Sequence, residues 1–248
     1  MRDARFKAIL KILEEQDFAT VEFLSKALNV SVPTIRRDLN TLANRKSLIR
    51  TRGGAMHIDV HQSSFPLSYR RVSQAGMKSI IAKKAATFVK ENQVIFIDSS
   101  SAANFILQYL KKLNNVIIVT NSLETAASIK NINATTYCLC GNIIENSSSV
   151  GGHLAVESAG FFHIDIFFFS AYGINSDGMI LESSDDEIDL KYYLLKNAEC
   201  SVFLCDRSKF DKTSSFVLAP LSEVDYLITN PTLSDYPYSP RKEIILVE

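Results

Sequence analysis

The chain has 248 residues, 46% of them apolar, and its 27 basic and 27 acidic side chains cancel to a formal charge of zero. No apolar run reaches membrane-spanning length, and MRDARFKAIL lacks a signal-peptide h-region, so a soluble cytoplasmic protein with one large and one small domain is expected. The neutrality hides an asymmetry: residues 1–56 hold 11 Lys and Arg against 6 Asp and Glu, and residues 57–248 hold 16 against 21. A basic module of net +5 joined to an acidic body of net −5 suggests that only the first meets a polyanion.

In chain order, RDARFKAILKILEEQ predicts a first helix, with Phe6, Ile9, Leu10 and Leu13 at helical spacing. Thr20 suits an N-cap, opening a second helix with Phe23, Leu24 and Leu28 inward. After the break at NVS, Ser31 suits the cap of a third helix, with Pro33 in its first turn, where a missing N–H costs nothing. Ile35, Leu39 and Leu42 form its buried stripe. SLIRTRGGA alternates briefly and ends in Gly-Gly, as a small β-wing would. Residues 57–75, with Pro66 and several Ser and Gln, lack a period and read as a linker. From residue 76 to 248, near-continuous apolar strands alternate with helices, which predicts an α/β domain with a Rossmann-like parallel sheet covered on both faces.

The third helix carries the first functional signal. With its apolar stripe inward, Pro33, Thr34, Arg36, Arg37, Asn40 and Thr41 remain on the other side, and a three-residue turn joins it to the helix before. This is helix-turn-helix spacing, with the second helix shaped for a major groove. Arginine reads guanine bidentately or clamps phosphate, and Arg50 and Arg52 of the wing would add salt-dependent backbone contacts. The contrasting possibility is a solvated face with a surface pair between Asp38 and Arg36 or Arg37.

The stretch TVEFLSKALNVSVPTIRRDLNTLANRKSLIRTRGGA resembles the N-terminal signature of the DeoR family of bacterial transcriptional regulators, with the T-I-R-R-D-L core at Thr34–Leu39 and G-G-A at Gly53–Ala55. The resemblance continues to about residue 230. It implies a winged helix-turn-helix followed by a sensor domain similar to ribose-5-phosphate isomerase and CoA-transferase folds. Such regulators are mostly repressors of sugar-catabolic operons and sense a phosphorylated sugar. The implied partners are operator double-stranded DNA and a phosphorylated sugar, with a homodimer or homotetramer, no cofactor and no membrane.

Ligands of a parallel sheet bind beyond the carboxyl ends of its strands. The first loop there is Asp98-Ser99-Ser100-Ser101, a candidate anion site or a plain serine cap. The family pattern is D-S-G-T-T, so the glycine and both threonines are missing here. Thr120-Asn121-Ser122 matches the family's V-T-N-S. Gly141 and Gly152 flank a serine-rich loop, and Gly173 ends a G-x-x-G-like stretch. Glu187 and Lys191 match E-x-x-x-K, whose bland reading is a surface i,i+4 pair. Asp206 and Lys209 match D-x-S-K-F, and Lys209 is the candidate phosphate partner.

Metal and catalytic motifs are lacking. Cys138 and Cys140 read as buried apolar residues of one strand, with Cys200 and Cys205 also outside any zinc spacing. His57 and His61 fall in the linker, and His153 opens a helix. An isomerase carrying a nucleic-acid module stays open, because Asp98, Asp165 and Asp206 begin or end strands and could be posed as bases. A sensor that answers a protein partner instead of a sugar is the third possibility, favoured only by the altered serine turn.

Overall fold

In a computed structural model the chain forms two compact units, Met1–Ser73 and Gln74–Glu248. The structure describes residues 2–16, 18–45, 47–51, 53–57, 67–111, 113–129, 132–144, 148–183, 185–230 and 237–248. Arg52 and His61 lie outside the described residues.

The first unit contains α1 (Arg2–Gln16), β1 (Phe18–Thr20), α2 (Val21–Ala27), α3 (Val32–Asn44), β2 (Ile49–Arg50), β3 (Gly54–Met56) and α4 (Leu67–Val72). Its core joins Phe6, Ile9 and Leu13 of α1 to Leu24 of α2 and to Ile35, Leu39 and Leu42 of α3. The strands pair antiparallel in the order β1-β3-β2 and make the wing. Gly54 is required there, because a Cβ would lie 2.0 Å from the Ala19 carbonyl oxygen. Thr20 does cap α2, its hydroxyl accepting from the Phe23 N–H at 3.0 Å.

Four expectations for this unit need correction. Phe23 is 43% exposed, because Val21 and Leu24, three residues apart, take the inner face of α2. Ser31 stands at the N-cap of α3 but makes no capping bond, since its hydroxyl pairs with that of Thr34 at 2.9 Å. Asp38 is not a surface partner of Arg36 or Arg37. It is buried beside Leu39 and accepts from Arg5 Nε of α1 at 2.5 Å, with Arg2 Nε at 3.7 Å. Within the stretch read as an aperiodic linker, Leu67–Val72 forms α4, whose Tyr69 packs edge-on against Phe18 at 5.2 Å between ring centroids, while residues 58–66 lie outside the described residues.

The second unit runs α5 (Ala75–Ala86), β4 (Val94–Ile97), α6 (Ser101–Asn104), β5 (Val116–Thr120), α7 (Leu123–Ser128), β6 (Ala134–Cys138), β7 (Asn142–Ile144), β8 (Ser149–Gly151), α8 (His153–Ala159), β9 (Ile166–Phe169), β10 (Gly173–Ile174), β11 (Met179–Glu182), α9 (Ile188–Asn197), β12 (Cys200–Leu204), β13 (Phe216–Pro220), β14 (Tyr226–Thr229) and β15 (Glu243–Leu246). The main sheet has the order β15-β14-β12-β9-β4-β5-β6, and its pairings are all parallel. Successive strands run outward from β4 through β5 to β6, and then from β9 outward the other way. The order therefore reverses between β4 and β9.

Alternate side chains feed two cores, as the period of two requires. Phe96, Phe167, Phe169 and Phe203 face α8 and α9. Ile95, Ile97, Phe168, Val202 and Leu204 face α5 and α6. A second, antiparallel sheet, β10-β11-β13, and the hairpin β7-β8 are additions that the purely parallel expectation omitted. They arise from runs too short to show a period. Cys138 and Cys140 are exposed, contrary to expectation, because β6 is an edge strand of the main sheet.

Phe169 lies stacked between Phe167, at 4.7 Å, and Phe203, at 5.1 Å, and is fully buried. Replacing it by alanine removes both stacks and leaves a cavity. Phe169→Ala is expected to lower unfolding stability by about 3–5 kcal/mol, measured by urea denaturation.

Candidate functional site

In the first unit the outward face of α3 is basic and unneutralised. Arg36, Arg37 and Asn40 are exposed, as are Ser31 and Pro33, while Thr34 and Thr41 are half-buried. Among the described residues neither Arg36 nor Arg37 makes an ion pair, because the adjacent Asp38 is turned inward to Arg5. Thr41 accepts from Arg2 at 3.0 Å and donates to the Arg37 carbonyl at 2.9 Å, so its hydroxyl serves the helix surface itself. Arg50 donates to the Thr51 and Gly54 carbonyls and, at 3.3 Å, to Asn40 Oδ1. It braces the wing against α3. Its pKa is depressed, first by burial and then by the like charge of Arg36, which marks a concentration of positive charge where α3 meets the wing.

In the second unit, the loops that leave β4 and β9 lie at the reversal of strand order. That is the place where open α/β sheets form a ligand crevice. Asp98 follows β4 and is buried. Its carboxylate accepts from the Ser100 N–H at 2.9 Å and, from the loop after β9, from the Ser170 N–H at 3.1 Å. Ser99, Ser100 and Ser101 are buried beside it, and Ser100 caps α6 by accepting from the Ala103 N–H at 3.2 Å. Ser170 follows β9, and its own hydroxyl is buried without a hydrogen-bond partner.

Beneath this turn lies Lys191, only 4% exposed. Its ammonium donates to Glu182 Oε1 at 2.6 Å, to Glu187 Oε2 at 2.9 Å and to the Ser170 carbonyl at 3.0 Å. Asp98 Oδ2 stands 3.7 Å away. The Glu187/Lys191 pair is thus no surface pair but half of a buried cluster in which three carboxylates surround one ammonium. Burial opposes the charge on Lys191, but Glu182, Glu187 and Asp98 outweigh it and hold its pKa above the usual lysine value. The surplus negative charge has the opposite consequence for the acids. Burial first, with Glu187 and Asp98 adding to it, raises Glu182 to about 7 against the pull of Lys191. Burial likewise raises Asp98.

Beyond β5, Thr120 donates to the Ile97 carbonyl at 2.6 Å and accepts from the Ser122 N–H at 3.0 Å, so it locks the turn to β4. Ser122 caps α7, and Asn121 donates to the Val150 carbonyl at 3.1 Å while its Oδ1 is buried and unpartnered. These bonds carry the β7-β8 hairpin, with Gly141 and Gly152 at its base. Gly152 has φ +78° and starts α8, a conformation that favours glycine. On the other side Asp206 is buried and its Oδ1 accepts from the Ser208 N–H at 3.0 Å. Lys209 donates to the Ala171 carbonyl, next to Ser170, and Gly173 is held against this segment, since a Cβ would lie 2.6 Å from the Lys209 carbonyl oxygen.

The strand ends at the reversal therefore bring together Asp98–Ser101, Ser170, Glu187 and Lys191, with Thr120–Ser122 following β5 and Asp206 and Lys209 following β12. Asp165 is not among them. It precedes β9 at the opposite end of the sheet, where its carboxylate accepts from the Val94 N–H. Glu182 and Ser170 were missed. Both close apolar strand runs, MILE and IFFFS, as Asp98 closes VIFID, so a polar residue ending a buried strand was the available signal.

Replacing Glu182 by glutamine tests the cluster. An acid whose folded pKa lies above its unfolded value loses stability as pH rises between the two. Wild type should therefore lose on the order of 3 kcal/mol relative to Glu182→Gln between pH 4.5 and about 7, and no more above that, in thermal melts across pH.

Comparison with known proteins gives these geometries their setting. The DeoR-like helix-turn-helix domain matches residues 5–60, and the DeoR C terminal sensor domain matches residues 73–231. The L-fucose operon activator of Haemophilus influenzae is 31% identical over 231 residues, covering 93% of each chain. The glycerol-3-phosphate regulon repressor of Escherichia coli is 27% identical, covering 91% of this chain and 90% of its own. Among solved structures, ribose 5-phosphate isomerase A of Methanocaldococcus jannaschii is 19% identical over 55% of each chain, with a TM-score of 0.41. With both domain types matched in order, and with one relative similar along nearly its whole length, the chain belongs to the DeoR family of DNA-binding transcriptional regulators.

Proposed function

We propose that this regulator is a repressor of a sugar-catabolic operon, released or retained on its operator by a phosphorylated sugar held in the crevice between β4 and β9. The observation that carries the proposal is the strand-order reversal bordered by buried polar groups, with the Ser170 hydroxyl and Asn121 Oδ1 left unpartnered. Buried polar atoms are ordinarily paired, so orphaned ones beside such a reversal support a ligand. A phosphate-bearing effector is supported by the sensor-domain match and by a relative whose name carries glycerol-3-phosphate. Lys209 is the assigned cationic partner of that phosphate.

On the DNA side, Arg36 and Arg37 are assigned to the major groove with Thr34 and Asn40, and Pro33, Ser31 and Thr41 to its edges. Arg50 and Arg52 act from the wing, and Thr20 positions α2. A two-fold operator needs two such helices, so the working unit is a homodimer or a homotetramer. The effector acts by binding more tightly to one of two states, which is the only way a ligand shifts an equilibrium. No helix among the described residues is long and apolar enough to cross a membrane. A cytoplasmic site of action follows from the DNA partner, and catalysis is no part of the role. An isomerase remains the competing reading because Asp98 and Glu182 border Lys191, and turnover of ribose 5-phosphate or a hexosamine phosphate by the purified chain would establish it.

Arg37→Ala is expected to weaken operator binding by about 1–3 kcal/mol in a titration at fixed salt, without loss of folding. Unchanged affinity would remove α3 from the groove. A sugar phosphate that binds at 100 times its Kd should stabilise the protein by about 2.7 kcal/mol, while its parent sugar does not. Lys209→Ala should abolish that shift and leave operator affinity intact. A thermal-shift panel of phosphorylated and free sugars reads both.

A further inference from the structure

At the end of the main sheet opposite the crevice, three ligand-type side chains converge. His163 and Asp165 lie just before β9, and Glu199 lies just before β12. These two strands are hydrogen-bonded neighbours, in register from Ile166 and Cys200, so the residues entering them start side by side. One donor atom from each of His163, Asp165 and Glu199 lies within 4.8 Å of the other two. His163 Nε2 and Glu199 Oε1 are 2.8 Å apart.

The backbone beneath them is fixed. The Glu199 N–H donates to the Ile164 carbonyl at 3.0 Å, and the Asp165 N–H donates to the Val94 carbonyl at 2.9 Å. One oxygen of Asp165 accepts from the Val94 N–H at 2.6 Å, which sets the direction of the carboxylate and leaves it a second oxygen. Among the described residues neither Asp165 nor Glu199 pairs with a lysine or arginine. Glu199 pairs with the imidazole and Asp165 stands close by, so two carboxylates and one imidazole lie together with no lysine or arginine between them among the described residues.

We propose that His163, Asp165 and Glu199 form a divalent metal site, independent of the effector crevice. One imidazole nitrogen and two carboxylate oxygens suit a first-row ion of the zinc class, whereas magnesium and calcium favour oxygen alone. Three protein ligands leave the remaining positions to water, as in an open site. The ion would clasp the starts of β9 and β12.

The test is calorimetric titration of the full chain with ZnCl2, with CoCl2 as a coloured second probe. It is run in a background where the exposed thiols and His153 are removed by Cys138→Ser, Cys140→Ser and His153→Ala. One equivalent of zinc should bind per chain, and cobalt should develop a visible d–d absorption. His163→Ala and Glu199→Gln should each weaken uptake by about tenfold or more. Both side chains are largely exposed, at 73% and 60%, so these variants keep the fold. Loss of binding in the background protein, before either ligand is changed, would place the metal on the thiols or His153 and overturn the site. So would saturable uptake that His163→Ala and Glu199→Gln leave unchanged, or no saturable uptake at all.

Discussion

The ammonium of Lys191 must be neutralised where water does not reach it. That single requirement organises the second unit. A buried charge is tolerated only when its partners and remaining hydrogen bonds are supplied by the fold, and removing a partner is far more damaging than the pair is stabilising. Lys191 takes its partners from four places: Glu182 at the end of β11, Glu187 at the start of α9, the Ser170 carbonyl after β9 and Asp98 after β4. The antiparallel β10-β11-β13 sheet, an addition to the parallel core, is what brings Glu182 there. The loops of the crevice are thereby tied to elements that do not line it, and a displacement of either loop is felt by the whole cluster.

The first unit solves a related problem by the opposite means. Arg36 and Arg37 are immediate neighbours of an acid that could have cancelled them. The helical turn carries Asp38 inward instead, where α1 supplies Arg5 and Arg2 as its partners. The acid then strengthens the packing of α1 on α3 while the two guanidinium groups stay available. Arg50, by contrast, spends much of its donor capacity on the carbonyls of its own wing. Positive charge on this surface is therefore divided between side chains that hold the shape and side chains that are left free.

Much of this was legible in the sequence because it rested on strong periodicities. The α3 stripe of Ile35, Leu39 and Leu42, and the strands VIFI, IFFF and SVFL, announced the helix-turn-helix and the parallel sheet. The turn Asp98–Ser101 could be placed because strand ends locate it. What failed to show depended on contacts between distant segments. Nothing near Asp38 in sequence indicates Arg5, and nothing in E-x-x-x-K indicates that Glu182 completes a buried cluster. Cys138 and Cys140 were misplaced because alternation reveals a strand but not whether it lies at an edge. Two-residue strands such as β10 have no period to read, and α4 was lost in a stretch dominated by polar residues.

Three carboxylates on one ammonium also mean that the folded chain does not carry a whole number of protons in this cluster near neutrality. With Glu182 raised to about 7, part of the population holds a proton there and part does not. Any event that draws Lys191 away from its acids, or brings another charge beside it, will trade protons with the solvent. The heat of that event will then include the ionisation enthalpy of whatever buffer is present. Enthalpies recorded in phosphate and in an amine buffer will differ for the same event, and the difference, set against the two ionisation enthalpies, counts the protons exchanged at the carboxylates around Lys191.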